Sequence, residues 1–283
     1  MGVGDAAFSV KRGPTVRSGL KIFSANTGGA PGMWRLRAEA YFSADVLCVQ
    51  EVCMSENEKK AFARLANKDG YKCYFSSGWI STDVLGIRKH RGGLAFLVHK
   101  SVRHVLASEI THQCTQLLGL WLEGLHLINF YFPPEHGAVG AEALGLYWAA
   151  AHMRKHVWLA LGDANEEPHN SIIASFFTAH GGTLVPGQNT STRWNGRRII
   201  DWAFQSRPVV ASTWVNSDVK FSDHKGVWFE LCFEGRDNRR GRLKPAAVWK
   251  NLMGFLLKSG RKPLIPLGIL SGMLMIFFSS SKI

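Results

Sequence analysis

Seven short apolar runs, each bounded by polar or turn-forming residues, limit what this chain can fold into more than any other feature. The runs are rich in Val, Ile, Phe and Trp, which is typical of buried β-strands. In chain order they read LKIFSA, DVLCVQ, GGLAFLV, LHLINFYF, HVWLALG, RIIDWAF and KGVWFELCF. The chain is therefore predicted to be built around buried β-sheet.

Helical patterns separate some of these runs. Ser55 and Glu58 have the spacing of a capping box, and Gly70 supplies a helix stop. The stretches 138–153 and 170–182 are two further candidate helices. Because helices do not follow every strand, we expect an α+β layered sandwich rather than a doubly wound sheet.

The 283 residues, 46% of them hydrophobic, are enough to bury a large core. We place one domain at 18–234, after an N-terminal extension at 1–17 and before a basic linker at 235–262. Residues 263–281 carry no charge and approach the length of a membrane-spanning helix. Pro266 and two glycines weaken that helix, so a tail anchor and a packed chain end both stay open as interpretations.

The chain is strongly basic, with 34 Lys and Arg against 21 Asp and Glu and a formal net charge of +13. Such a charge favours polyanionic partners, meaning nucleic acid or an anionic membrane surface. The five cysteines form no C-x-x-C pair and mostly lie in apolar runs, which indicates reduced core residues. We expect a reducing compartment, the nucleus or cytoplasm, and no obligate protein partner is evident.

Polar side chains collect where the predicted strands end. Singly, each has a structural explanation as a turn former or a cap. Asp201 is the exception, because a carboxylate between Ile200 and Trp202 is costly to bury without a partner, and His224 is the natural candidate. Successive side chains of a strand face opposite ways, so Asp223, which precedes His224, is expected to face away from the Asp201–His224 pair. The polar residues at or near these strand ends are Asn26, Glu51, Asp163, Asn165, Asp201, Asp223 and His224.

Taken in this order, these residues resemble the motifs of the endonuclease/exonuclease/phosphatase superfamily, which includes deoxyribonuclease I. The resemblance runs from LKIFSANTGG to SDHKGVWFEL and includes the motifs QE, GDAN and IDW. It is closest to the apurinic-type endonuclease domains of non-long-terminal-repeat retrotransposons. It implies a four-layer sandwich of two mixed β-sheets flanked by helices.

The resemblance also implies a divalent metal, Mg²⁺ with Mn²⁺ as the alternative, bound through Glu51 with Asn26 and Asp223 close by. Magnesium prefers a small number of carboxylates together with water and phosphate oxygens, which agrees with such a site.

Catalytic roles follow from the same resemblance. It makes Asp163 the general base and Asn165 the residue that holds the phosphate or the water. It also makes His224, oriented by Asp201, the group that stabilises charge on the phosphoryl oxygen. Four side chains are expected to bind phosphate or substrate, and Tyr131 to assist the phosphate or the leaving group. These four are Thr192, Arg193, Arg197 and Arg91.

Three functions compete at this point. The first is a DNA endonuclease of retrotransposon type, which the basic excess favours. The second is a phosphatase of inositol phosphates or phosphoinositides at a membrane, which would give residues 263–281 a purpose. The third is a catalytically dead remnant that binds nucleic acid, against which the complete set of polar residues argues. We expect the endonuclease.

Overall fold

A computed structural model describes residues 19–38, 43–122, 124–153, 156–186, 190–217 and 220–232. The extension, linker and hydrophobic tail expected at 1–17, 235–262 and 263–281 lie outside these ranges and stay predictions. Within the described ranges, no helix has both the length and the apolar character needed to cross a bilayer.

The first sheet has six strands in the order β13-β14-β1-β2-β6-β3. Strands β1 and β2 are parallel, and all other neighbours in this sheet are antiparallel. Its strands are β1 (Leu20–Asn26), β2 (Val46–Gln50), β3 (Tyr71–Phe75), β6 (Ala95–His99), β13 (Val210–Val215) and β14 (Val227–Leu231).

The second sheet also has six strands, in the order β11-β12-β10-β9-β8-β7. Here β9 and β10 form the parallel pair. Its strands are β7 (His104–His112), β8 (Thr115–Leu122), β9 (Leu125–Tyr131), β10 (Val157–Asp163), β11 (Thr183–Leu184) and β12 (Asp201–Gln205). A separate hairpin pairs β4 (Trp79–Thr82) with β5 (Arg88–Arg91).

Three buried clusters show that the layers are stacked as helices, sheet, sheet, helices. The central cluster joins inward side chains of both sheets, such as Ile22, Leu120 and Leu159. The outer clusters pack each sheet on its own helices. Helices α1 (Ala30–Ala38) and α2 (Glu56–Lys68) cover the first sheet, and α3 (Gly137–Ala150) and α4 (Ile172–Ala179) cover the second. The predicted four-layer α+β sandwich of mixed sheets is confirmed.

Local signals in the sequence are confirmed as well. Ser55 caps α2, with its hydroxyl accepting the backbone N–H of Glu58 and the Glu58 carboxylate accepting the N–H of Ser55. All seven predicted strands form, and α3 and α4 occupy the two further helical stretches. Asp201, expected at or near a strand end, is the first residue of β12.

Candidate active site

The parallel strand pairs fix where the polar residues meet. Because β1 and β2 are parallel, Asn26 and Gln50 end side by side, and because β9 and β10 are parallel, so do Tyr131 and Asp163. The two sheets then meet at this edge, where the Asn26 amide Nδ2 donates to Oδ2 of Asp163 at 2.8 Å. Residues that are far apart in sequence therefore share one end of the sandwich.

Tyr131, Asp163 and Asp201 form a row across three adjacent strands. Asp163 is directly opposite Tyr131 on β9 and opposite Asp201 on β12. Both carboxyl groups are buried, and directly opposed like charges destabilise each other. Burial and the Asp201 charge raise the pKa of Asp163 well above its usual value, although His224 and the Asn26 amide act in the opposite direction. Asp163 is therefore a stronger base than an exposed aspartate.

His224 lies between the two carboxylates. Its Nδ1 is 2.9 Å from Oδ2 of Asp201, and its Nε2 is 3.9 Å from Oδ2 of Asp163. The buried partner predicted for Asp201 is thus present. Burial by itself would lower the pKa of His224, but attraction to Asp201, its hydrogen bond and the neighbouring carboxylates raise that pKa to about 10. The imidazole is therefore held in its charged form, with Nε2 on the Asp163 side.

The alternation argument for Asp223 was wrong. Residues 221–223 form a bend rather than a strand, so strand alternation does not apply to Asp223. The backbone of 223–225 pairs with the loop 192–194, and the Asp223 carboxylate forms an ion pair with the Arg193 guanidinium. Its Oδ1 is also 4.0 Å from Nε2 of His224. Asp223 thus lies at the side of the edge that carries Arg193 and His224.

Glu51 follows directly after β2 and is half-buried, with a left-handed backbone (φ 49°) that is uncommon for a residue with a side chain. Burial and the neighbouring Glu51 charge raise the pKa of Tyr131. The hydroxyl of Thr27 fixes the turn by donating to the backbone carbonyls of Gln50 and Glu51. Such a strained backbone is a sign of a functional position.

Asn165 reaches Asp163 through a turn. Its backbone is left-handed (φ 54°), a conformation that Asn tolerates. Its backbone N–H donates to Oδ1 of Asp163 at 2.8 Å, and its amide donates to Oδ2 at 3.1 Å and to the carbonyl of Phe132. These bonds orient the Asp163 carboxylate from the side facing loop 132–134.

The four residues expected to bind substrate lie in different environments. Thr192 is buried, and its hydroxyl accepts the backbone N–H groups of Ile200 and Asp201, so it positions Asp201 rather than facing a phosphate. Arg193 is engaged by Asp223, whereas Arg197 is exposed. Arg91 is exposed on β5, where its Nε donates to the hydroxyl of Ser81.

Several positioning residues escaped the sequence reasoning. The Ser222 hydroxyl donates to the carbonyl of Asn26 and accepts the N–H of His224, which connects the two sides of the edge. Beneath the site, Nε2 of Gln50 donates to Oδ1 of Asn129 at 2.6 Å and so links the two sheets. Asn129 carried a usable signal, because a polar residue within the apolar run LHLINFYF needs a partner.

Within the described ranges, one group of side chains has the spacing of a metal site, and Glu51 is a second candidate ligand. Atoms of Asp163, Asp201 and His224 lie within 4.8 Å of one another. In that set, however, Asp163 already accepts N–H bonds and His224 is kept charged, so a metal ion would displace existing contacts. The half-buried Glu51 carboxylate provides hard oxygen ligands, whereas the Asn26 amide oxygen on the adjacent strand end already accepts the Gly28 N–H at 2.9 Å. A divalent cation at Glu51 would therefore displace fewer of the described hydrogen bonds than one at Asp163.

Comparisons with known proteins agree with this architecture. A profile of the Endonuclease/Exonuclease/phosphatase family matches residues 23–224. A search of curated proteins found no match.

Three solved structures illustrate the shared fold. The human Nocturnin catalytic domain has a TM-score of 0.57 at 15% identity, covering 76% of this chain and 94% of that one. The endonuclease domain of TRAS1, a telomere-specific non-LTR retrotransposon, has a TM-score of 0.53 at 14% identity, covering 75% and 98%. The 3′ phosphatase NExo from Neisseria, bound to product DNA hairpin, has a TM-score of 0.54 at 18% identity, covering 76% and 100%.

Proposed function

Because this chain belongs to the endonuclease/exonuclease/phosphatase family, whose members hydrolyse phosphoesters and generally need a divalent metal, we propose that it is a Mg²⁺-dependent DNA endonuclease. The observation that carries the proposal is the buried cluster of Asp163, Asp201 and His224 next to Tyr131, whose pKa the nearby Glu51 charge raises. The formal charge of +13 supports a polyanionic substrate. By analogy, the DNA-bound NExo structure supports DNA as the substrate, and the TRAS1 endonuclease domain supports a retrotransposon-type role.

In this proposal Asp163 takes the proton of the attacking water. Its raised pKa suits a general base, since proton transfer is most effective when the base has a pKa near the working pH. The carboxylate is fully covered, so the substrate-bound state must open a path for water beside Nε2 of His224. Asn165 keeps the carboxylate oriented through two hydrogen bonds.

The charged His224 imidazole stabilises the developing negative charge on the phosphoryl oxygen, since a fixed donor aimed at such charge acts strongly where water is excluded. Asp201 keeps it charged and in position. A Mg²⁺ or Mn²⁺ ion held by Glu51, with Asn26 beside it, would supply Lewis-acid polarisation of a phosphate oxygen.

The five free thiols support our further proposal of a reducing compartment, the nucleus or cytoplasm.

The test is nicking of supercoiled plasmid by the purified full chain with Mg²⁺. We expect nicking that stops in chelator and that falls about 100-fold or more in Asp163→Asn and His224→Ala. Asp69→Asn, which alters an exposed carboxylate paired with Arg37, is the matched control and should retain the wild-type rate. Absence of nicking together with phosphate release from a phosphoinositide would replace the endonuclease with a phosphatase, and DNA binding without either reaction would make the chain a binding remnant.

A further inference from the structure

Gln116 is a buried amide beside the candidate active site, at a position that the sequence reasoning did not single out. It lies on β8 directly opposite Tyr131 of β9, and its side chain is shielded from solvent. A buried amide needs partners for its N–H groups and for its oxygen. The partners of Gln116 lie next to the other sheet, so this one side chain connects the two halves of the sandwich.

Two loops that adjoin the first sheet bind the Gln116 amide. Its Oε1 accepts the backbone N–H of Gly93 at 2.6 Å, and its Nε2 donates to the carbonyl of Ser77. The second sheet holds Ser77 a second time, because the Ser77 N–H donates to Oε1 of Glu109 on β7 at 2.8 Å. Side chains of the second sheet therefore fix the position of both loops.

The loop that contains Gly93 in turn holds the turn that carries Glu51. The carbonyl of Gly93 accepts the N–H of Val52 at 3.0 Å, and the carbonyl of Gly92 accepts the N–H of Cys53 at 2.8 Å. The backbones of Glu51 and Cys53 are both left-handed (φ 49° and 47°), a conformation that persists in such residues only where the surrounding structure imposes it. The bonds from loop 92–93 are part of that surrounding structure.

Gln116 thus links the two residues that approach each other across the edge. It lies opposite Tyr131 on one sheet and reaches the Glu51 turn through Gly93 on the other. Tyr131 and Glu51 are close enough for the Glu51 charge to raise the pKa of Tyr131, an effect second to that of burial. The hydrogen bond between Gln116 and Gly93 therefore acts directly on the separation of the two sides.

We propose that Gln116 is a positioning residue that fixes the Glu51 carboxylate and so sets the affinity of the site for its divalent cation. The inference rests on the proposed function and deepens it, because it adds a residue of the second sheet to the metal side of the site. An amide suits this position, since one side chain supplies the acceptor for Gly93 and the donor for Ser77. Substitution of a residue that orients a metal ligand typically weakens metal binding about 10- to 100-fold.

The test compares two buried glutamines in the full chain. Gln116→Leu removes the contacts with both loops. Gln205→Leu is the matched control, because Oε1 of Gln205 accepts the N–H groups of Val209 and Val210 at the far end of β12 from the site. Each substitution leaves a buried N–H without its partner, so both variants should have lower urea midpoints than the wild type. Only Gln116→Leu should bind Mg²⁺ more weakly in calorimetry, by about tenfold or more.

A second measurement needs no metal. Cys53 is half-buried in the Glu51 turn, so its alkylation by iodoacetamide reports how firmly that turn is held. In chelator, peptide mass spectrometry should show several-fold faster alkylation of Cys53 in Gln116→Leu and the wild-type rate in Gln205→Leu. Gln116→Met, whose flexible side chain fills the space of the amide, repeats both measurements should the leucine variant fail to fold.

Plasmid nicking gives the functional readout. The Mg²⁺ concentration for half the maximal rate should rise about tenfold in Gln116→Leu, and excess Mg²⁺ should restore most of that rate. Wild-type Mg²⁺ affinity and wild-type Cys53 alkylation in folded Gln116 variants would overturn the inference and leave the proposed function intact. Absence of Mg²⁺ binding and of nicking in the wild type would instead refute the proposed function, and the role of Gln116 with it.

Discussion

Asp201→Asn tests whether the second carboxylate keeps His224 charged. Asp201 Oδ2 is 2.9 Å from Nδ1 of His224, and both side chains are buried. Two unit charges about 4 Å apart interact with about 4 kcal/mol at the effective dielectric of a protein, which equals about 3 pKa units. The substitution should therefore lower the pKa of His224 from about 10 to about 7 or below, since the burial that opposes its charge remains.

The expected consequence is a pH-dependent loss of activity. At about pH 8 only about one tenth of the variant would carry a charged His224, whereas the wild type would be almost fully charged. The ratio of variant to wild-type kcat/KM should therefore be highest near pH 6 and fall by about tenfold between about pH 6 and 8. Loss of the Asp201 charge also lowers the pKa of Asp163, which favours the variant at low pH and acts in the same direction.

The assay is plasmid nicking across this pH range, with NMR titration of the His224 ring in chelator as the direct measure of its pKa. Asp69→Asn serves as the control for loss of a surface carboxylate and should show a constant ratio. A flat ratio for Asp201→Asn, with an unshifted His224 titration, would refute the reasoning. Asp201 would then only support the local packing.

Three further predictions concern metal binding, packing and pH. Glu51→Gln should weaken Mg²⁺ binding at least about tenfold in calorimetry while the circular dichroism spectrum stays that of the wild type. Gly119→Ala should lower the free energy of unfolding in urea by about 1–3 kcal/mol, because its Cβ would lie 1.7 Å from the Tyr147 hydroxyl; Gly145→Ala on α3, whose nearest neighbour would be 4.0 Å away, should raise it by up to about 1 kcal/mol. In chelator, the stabilisation that comes from the raised pKa of His224 should be complete below about pH 6.5 and lost as the pH rises through about 10. The urea midpoint of the wild type should therefore fall over that interval more steeply than the midpoint of His224→Gln.

Much of the fold could be predicted because its signals are local. The apolar runs became strands and the Ser55 capping box opened a helix, since each depends on residues within a few positions of one another. The candidate site was partly predictable for a related reason. A carboxylate such as Asp201 in an apolar run needs a partner, and the order of the strand-end motifs narrowed the choice to His224.

By itself, then, the sequence determined which segments become strands and which polar residues stand at their ends, because burial and capping act over short distances along the chain. Only the tertiary structure decided how those ends meet. It placed Asp163 directly opposite Asp201, turned Asp223 towards Arg193 through a bend, and buried the Thr192 hydroxyl. The physical reason is that strand register and loop conformation depend on packing between segments that are distant in sequence. That packing decides which charges lie beside Asp163 and His224 and so shifts their pKa values.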